Sequence, residues 1–159
     1  MKIHLFACAA LAVLLTSAPA SAQIAEDAGA ITLFYDALNA APGKDVADLI
    51  TRATRPEWVS CGANDVCFGR DQVITAIASR QKAIPDLKWE IREVLISDNR
   101  VIVRGEASGH PAGDFMGVPH GNKSFKLMSI DVHTIEGGRL SRSYHVEDWM
   151  GATRQLSAQ

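Results

Sequence analysis

The sequence predicts an α+β fold, with helices in the first half of the chain and antiparallel strands in the second. Apolar residues recur at helical spacing up to residue 83, and from residue 87 they alternate with polar ones, as in strands. Two β-type runs then meet at Gly137-Gly138, a pair that favours a hairpin because both glycines can adopt positive φ. We therefore expect about three N-terminal helices packed over the concave face of a curved antiparallel sheet, with a pocket between the two layers.

The predicted helices cover residues 24–40, 44–52 and 69–83. The first carries apolar residues at Ile31, Phe34 and Leu38, and Pro42-Gly43 follows its end. The third ends before Pro85, because proline disfavours a helical conformation in the residue that precedes it.

The predicted strands are a short one at residues 57–60 and longer ones at 87–97 and 100–109, followed by the hairpin within residues 123–149. A loop rich in Gly and Pro, residues 110–122, precedes the hairpin. Successive side chains of a strand face opposite sides. The last strand therefore has two faces, one with Arg142, Tyr144, Val146 and Asp148 and the other with Ser141, Ser143, His145 and Glu147.

The N-terminus has the pattern of a secretory signal peptide. Lys2 precedes an apolar run, and Ala20-Ser21-Ala22 forms a small-residue cleavage pattern. The run is too short to span a membrane stably. We predict cleavage after residue 22, a single domain at residues 23–159, and an exported protein in the periplasm or outside the cell.

Composition excludes several classes of partner. The 159-residue chain has a formal net charge of −2 and no cluster of basic residues, so neither nucleic acid nor an anionic membrane is expected to bind it. Beyond the predicted signal peptide no run is apolar enough to cross a membrane.

Two cysteines lie after the predicted cleavage site, Cys61 and Cys67. An even number of cysteines in an exported chain favours a disulfide. The alternative is a metal site, but the chain has none of the cysteine or histidine spacings typical of zinc, and we expect no bound metal.

Asp148 and Asp131 are the two candidate catalytic carboxylates. Asp148 follows Tyr144 and Val146 on one strand face, so it would lie at the wall of an apolar pocket, where burial raises a carboxylate pKa and makes the group a better base. The alternative role for Asp148 is to cap a helical turn at residues 149–154. Asp131 lies within a strand, where aspartate is rare; it either lines the cavity beside Asp148 or pairs with Arg142 across the hairpin.

His110, at the end of a strand beside the Gly/Pro loop, is the other predicted catalytic residue, because binding residues often lie in such loops. His133 and His145 are alternative proton donors, although a histidine on a strand is more often a simple hydrogen-bonding residue. Five large amphipathic side chains are candidates for ligand binding: Tyr35, Trp58, Phe115, Arg142 and Tyr144. For the four aromatic residues among them, the alternative is packing in the core.

A series of short motifs follows residue 67: Phe68-Gly69, Ile84-Pro85-Asp86-Leu87, Asn99-Arg100-Val101, Gly109-His110, Phe115-Met116-Gly117-Val118-Pro119, Gly121-Asn122-Lys123, Ile130-Asp131-Val132, Gly138-Arg139-Leu140, Asp148 and Arg154-Gln155-Leu156. In this order and spacing they resemble the SnoaL-like polyketide cyclases, a branch of the nuclear transport factor two-like superfamily. The resemblance covers Phe68 to Leu156.

The resemblance implies a cone-shaped α+β barrel with a cavity between sheet and helices, and dimers formed through the sheet. It also implies that Asp148 is a base that removes a proton next to a carbonyl, without metal or organic cofactor. Arg142 and Tyr144 depart from the Glu and Trp common in the family, and the cysteine pair is not part of its pattern.

Two functions follow from these features. The first is a cofactor-independent cyclase, isomerase or lyase that acts on a small apolar or carbonyl-containing molecule. The alternative is an exported domain that binds an apolar small molecule without chemistry. The chain lacks the serine-nucleophile, phosphate-binding, dinucleotide-binding and zinc-protease motifs of other enzyme classes.

Overall fold

A computed structural model of the chain describes residues 20–39, 41 and 43–158. Nearly all of the predicted signal peptide, residues 1–22, lies outside the described residues. The helices are α1 (Ala20–Leu38), α2 (Val46–Ala53), α3 (Arg70–Ala83) and α4 (Trp149–Ser157). The strands are β1 (Thr54–Ala63), β2 (Val66–Gly69), β3 (Lys88–Ser97), β4 (Arg100–Gly109), β5 (Phe125–Glu136) and β6 (Arg139–Glu147).

The six strands form one curved sheet in the order β2-β1-β6-β5-β4-β3. Four neighbouring pairs are antiparallel, and β1 pairs with β6 in parallel. Breaks in register within β3 and at the turn end of the β5–β6 pair add local twist and bending. The predicted α+β class with a curved sheet is confirmed.

The core lies between the concave face of the sheet and the N-terminal helices. Alternate residues of β4 and β5 are buried there, among them Val101, Val103, Phe125 and Leu127. The Phe34 ring of α1 packs edge-on against two rings of the sheet and against the ring of the next residue on α1. This agrees with the predicted alternation, in which every second side chain of a strand faces the core.

The β5–β6 hairpin turns at the predicted glycines. Gly137 and Gly138 have φ values of 58° and 69°, a region that side chains with a Cβ rarely adopt. The hairpin pairs Asp131 with His145 directly across the two strands. This register decides which side chains meet on the concave face.

The strand predicted at residues 57–60 is longer than expected. It extends over Thr54–Ala63 and turns back into β2, so the cysteine loop is itself a β-hairpin. Cys61 and Cys67 are direct partners in this hairpin and form a disulfide. The predicted pairing is confirmed.

The C-terminal segment forms α4, which extends beyond the helical turn considered at residues 149–154. Asp148 caps α4 by accepting a hydrogen bond of 2.8 Å from the Gly151 backbone N–H, and Ala152 and Leu156 bury the inner side of the helix. Within the described part of the chain, no helix is long and apolar enough to cross a membrane.

Candidate active site

A cavity of about 290 Å³ lies between the helices and the concave face of the sheet. Its walls are mostly apolar and come from α1, α3, the β1–β2 hairpin and the β5–β6 hairpin. The lining residues are Phe34, Leu38, Ser60, Gly62, Phe68, Gln72, Val73, Ala76, Ile77, Arg80, Asp131, His145 and Glu147. Four ionisable side chains among largely apolar ones are the usual composition of a ligand site.

Asp131 is the most deeply buried of these ionisable groups, with 4% of its surface exposed. Its Oδ2 accepts hydrogen bonds from the Tyr35 hydroxyl at 2.7 Å and the Ser129 hydroxyl at 3.2 Å. Burial raises the pKa of Asp131 to about 6, and the Tyr35 hydrogen bond opposes that rise. A carboxylate with this pKa is a suitable base near neutral pH.

The two hydroxyl donors hold one oxygen of Asp131 and leave the other for a ligand. The pKa of Tyr35 is raised far above its ordinary value by burial and by the Asp131 charge, so the phenol remains protonated and a donor. Ser129 owes its place to Gly105, its partner on β4, since a Cβ there would lie 2.6 Å from the Ser129 Oγ. Any other residue at position 105 would displace the Ser129 hydroxyl.

His145 and Glu147 form the second polar group of the cavity. The His145 Nδ1 lies 3.2 Å from the Glu147 Oε1, and the Trp149 indole N–H donates to Oε2 at 3.1 Å. The hydrogen bond to Glu147 raises the pKa of His145 against the opposing effect of burial. Burial also raises the pKa of Glu147, but the bond to His145 and the charges of His145 and Arg80 outweigh it and lower that pKa overall. Each partner of this pair therefore favours the charged form of the other.

His133 lies deeper than the cavity, fully buried below α1. Its Nδ1 is 2.8 Å from the Ser143 Oγ, which also accepts the Trp58 indole N–H at 3.0 Å. Burial lowers the pKa of His133 to about 3, so the ring is neutral. It is part of a hydrogen-bonded core that supports the floor of the site.

Comparison with known proteins identifies the family. A model of the SnoaL-like polyketide cyclases matches residues 30–156, which is most of the chain. The chain belongs to the SnoaL-like polyketide cyclase family. This confirms the resemblance drawn from the sequence motifs. Among curated protein sequences, none matches this chain.

Solved structures of SnoaL-like proteins share the fold. A candidate SnoaL-like polyketide cyclase from Jannaschia sp. CCS1 superposes with a TM-score of 0.72 at 20% identity, over 85% of this chain and 94% of that one. IdmH, a candidate polyketide cyclase from Streptomyces antibioticus, gives 0.71 at 20% identity over 83% and 99%. TsrD from Streptomyces laurentii gives 0.72 at 23% identity over 85% and 97%. At these identities the likeness shows the fold alone.

The SnoaL-like cavity of this chain does not contain Asp148. The side chain is exposed at the start of α4 and caps that helix. Its predicted position at the cavity wall is therefore wrong, and the alternative, a helix cap, is confirmed. The reason is strand parity: the concave face of β6 carries His145 and Glu147, and Asp148 follows them on the other side.

Other predicted site residues also lie outside the cavity. His110 is exposed, with Nδ1 2.7 Å from the Asp86 Oδ2. Arg142 and Tyr144 lie on the convex face of the sheet, where the Arg142 guanidinium is 3.4 Å from the Tyr144 hydroxyl. The proposed pairing of Asp131 with Arg142 is therefore wrong, because the two side chains are on opposite faces.

The remaining predicted residues support the site from outside its walls. Tyr35 binds Asp131 from below, and Trp58 is buried in the core. Phe115 packs against Phe125 and Trp149, beside the cavity and not in it. Over the residues that the structure describes, no group of three or more His, Cys, Asp or Glu is arranged to hold a metal ion.

Two ionisable residues of the cavity were missed as site candidates. Arg80 lies on α3, far from the hairpin in sequence, and only the packing of α3 against the sheet reveals its place. Glu147 was placed on the face opposite Asp148, together with His145. Strand parity grouped Glu147 with His145, but it could not show that their face is the concave one.

Proposed function

We propose that this chain is a cofactor-independent enzyme that removes a proton from a carbon next to a carbonyl group in a small, largely apolar molecule. One observation carries the proposal: Asp131, a buried carboxylate in an apolar cavity, is paired across the hairpin with His145. Membership of a family that acts on small molecules supports the same class of partner.

Asp131 is the base in this mechanism. Its Oδ2 is held by Tyr35 and Ser129, so Oδ1 accepts the proton from the substrate carbon. The electron pair of the broken C–H bond moves toward the carbonyl carbon and produces an enolate. The apolar walls favour this step, because a carboxylate that is poorly solvated is a stronger base.

His145 is the group that stabilises the enolate oxygen. Directly opposed residues on two strands have Cβ atoms about 5 Å apart, so Asp131 and His145 can act on neighbouring atoms of one ligand. The imidazolium donates a hydrogen bond or a proton to the developing oxyanion, and Glu147 keeps the ring charged and oriented. Such positioned donors are commonly the largest electrostatic contribution in an active site.

The fate of the enolate decides the reaction type. Return of the proton from Asp131 to another carbon gives an isomer. Attack of the enolate carbon on a second carbonyl of the same molecule gives a ring, with the new alkoxide protonated by His145. The family relationship favours ring closure.

Proton exchange tests this proposal without knowledge of the natural substrate. We expect the protein to accelerate deuterium exchange next to the carbonyl of a bicyclic ketone such as β-tetralone, followed by NMR in deuterated buffer. A ketone that binds in the cavity without accelerated exchange would contradict the mechanism and favour the alternative of a non-catalytic binding domain.

We also propose that the mature protein is exported after cleavage behind Ala22. The basic and apolar N-terminal pattern supports export, as does the disulfide, because disulfides persist in oxidising compartments. The mass of the protein isolated from the cell envelope tests this, and retention of residues 1–22 in that protein would refute it.

A homodimer through the convex face of the sheet is a further part of the proposal. Apolar side chains form a cross-strand row on that face, from Leu95 through Ile102 and Val132 to Tyr144. Val146 beside them is 63% exposed, and exposed apolar patches of this kind mark interaction surfaces. We expect a dimer in sedimentation equilibrium and a monomer for Val146→Glu; a monomeric wild type would contradict the dimer.

A further inference from the structure

Arg80 lies at the boundary between the cavity and a second, more open groove. The groove has a volume of about 440 Å³ and is lined by Ala76, Ser79, Arg80, Ala83, Phe115, Met116 and Trp149. Ala76 and Arg80 line both spaces. A ligand that extends from the Asp131 end of the cavity into the groove must therefore pass the Arg80 side chain.

The guanidinium of Arg80 has no polar partner within the part of the chain that the structure describes. Two other arginines there are similarly half-buried, and both are satisfied: Arg55 pairs with Glu57, and Arg70 donates to the Thr54 hydroxyl and carbonyl. Arg80 instead lies over the face of Trp149, with Cζ 5.0 Å from the ring centroid. This contact positions the charge and leaves the N–H donors free.

The charge of Arg80 lowers the pKa of Glu147, but Glu147 accepts no hydrogen bond from the Arg80 guanidinium. Its Oε1 contacts His145 and its Oε2 accepts from Trp149. A guanidinium has five N–H donors in a planar fork that matches a carboxylate. The Arg80 fork is accessible from the cavity and the groove, where an anionic ligand group would satisfy it.

The position of Arg80 keeps an anionic ligand group away from the base. Arg80 lies over Trp149, whose indole N–H donates to the Glu147 Oε2. Arg80 therefore belongs to the Glu147 side of the cavity. A carboxylate bound there would not confront Asp131 directly.

We propose that Arg80 binds a carboxylate of the substrate, so that the substrate is an apolar carbonyl compound that also carries a carboxylate group. The carbonyl lies between Asp131 and His145, and the carboxylate lies at Arg80 where the cavity meets the groove. This inference rests on the proposed function for the role of the carbonyl, whereas the anion site itself depends only on Arg80 and its surroundings.

Binding of a matched pair of ligands tests the inference. The probes are naphthylacetate and its methyl ester, which share an apolar body and differ in charge, measured by calorimetry at a pH of about 7.5, where the acid is fully ionised. We expect wild-type protein to prefer the acid by about tenfold or more, a difference of about 1.4 kcal/mol. Arg80→Gln should abolish this preference and leave ester binding within about twofold, which also shows that the variant is folded.

Two further variants sharpen the result. Arg80→Lys keeps the charge but not the fork, so it should retain part of the preference. Arg100→Gln, at an exposed arginine on β4, is the matched control and should bind both probes as wild type does. Equal affinity of wild type for acid and ester, no binding of the acid, or an equal loss of both probes in Arg80→Gln would overturn the inference.

The inference and the proposed function fail in different experiments. Asp131→Asn removes the base but leaves Arg80 in place, so this variant should still bind the acid more tightly than the ester. If the acid is preferred but no ketone undergoes exchange, the mechanism is wrong and the anion site stands. If exchange occurs but acid and ester bind equally, only the anion site is wrong.

Discussion

Replacement of Asp131 by asparagine is expected to lower the rate of proton exchange from a bound ketone by about 10²- to 10⁴-fold, the usual contribution of a general base. The amide has nearly the same size, and its oxygen can still accept from Tyr35, but it cannot take up a proton. Exchange is measured by NMR with β-tetralone in deuterated buffer, for wild type and variant at equal concentration.

The same variant is expected to be more stable than wild type above neutral pH. Because burial raises the pKa of Asp131 from 3.8 to about 6, ionisation costs more in the folded state than in the unfolded state. The cost is absent below the unfolded pKa, grows as pH rises through about 6 and then stays constant. The folded and unfolded pKa values differ by about two, which corresponds to roughly 3 kcal/mol of stability as an upper estimate. Urea unfolding should therefore show that the variant is more stable at a pH of about 8, and this gain should disappear near a pH of about 4.

Two other aspartates serve as controls for the loss of exchange. Asp36→Asn changes an exposed carboxylate next to Tyr35 on α1 and should leave exchange at the wild-type rate. Asp148→Asn separates the base suggested by the family resemblance from the base indicated by the cavity. If Asp148→Asn lowers the exchange rate as much as Asp131→Asn does, Asp148 and not Asp131 alone would have to be the base.

Replacement of Glu147 by glutamine is expected to shift the alkaline limit of proton exchange to lower pH. In wild type the rate should rise as Asp131 loses its proton near a pH of about 6 and fall as His145 loses its own. The hydrogen bond and charge of Glu147 raise the pKa of His145. Without them the ring deprotonates at lower pH. At a pH above the wild-type pKa of His145, the rate should fall about tenfold for each pH unit by which that pKa is lowered.

The Glu147 variant also has a defined effect on stability. A histidine whose folded pKa is raised contributes stability that is fully present below its unfolded pKa of about 6.5 and lost as pH rises through the folded value. The variant should therefore lose more stability at a pH of about 5.5 than at a pH of about 9. Glu136→Gln, at an exposed glutamate at the end of β5, is the control. An unchanged alkaline limb in Glu147→Gln would show that His145 does not control it.

The order and type of the main elements could be predicted because hydrophobic periodicity is a local property. The shift from helical spacing to alternation, together with Gly137-Gly138, was enough to define the β5–β6 hairpin. Parity also separated Asp148 from His145 and Glu147 correctly. What parity could not decide is which face of β6 becomes the concave one, since that depends on how the sheet curves and on where α1 and α3 pack.

Non-local pairing explains the other differences. The central part of β1 was predicted, but its parallel partner β6 lies more than eighty residues away in sequence, as in the pairing of Cys61 with Tyr144, and no local pattern indicates that contact. Arg80 reads as a solvent-facing residue of an amphipathic helix until α3 is placed over the hairpin. The site thus combines residues whose roles depend on tertiary packing more than on sequence neighbourhood.

The disulfide has a consequence for how the cavity accommodates a ligand. Cys61 and Cys67 lie next to Gly62 and Phe68, which line the cavity. The disulfide therefore holds one rim of the cavity together before any ligand binds. Ordering of a flexible rim is part of the entropic cost of association, and here that cost falls at folding and oxidation. The affinity for a ligand at this rim therefore depends on whether the disulfide has formed, as well as on the shape of the ligand.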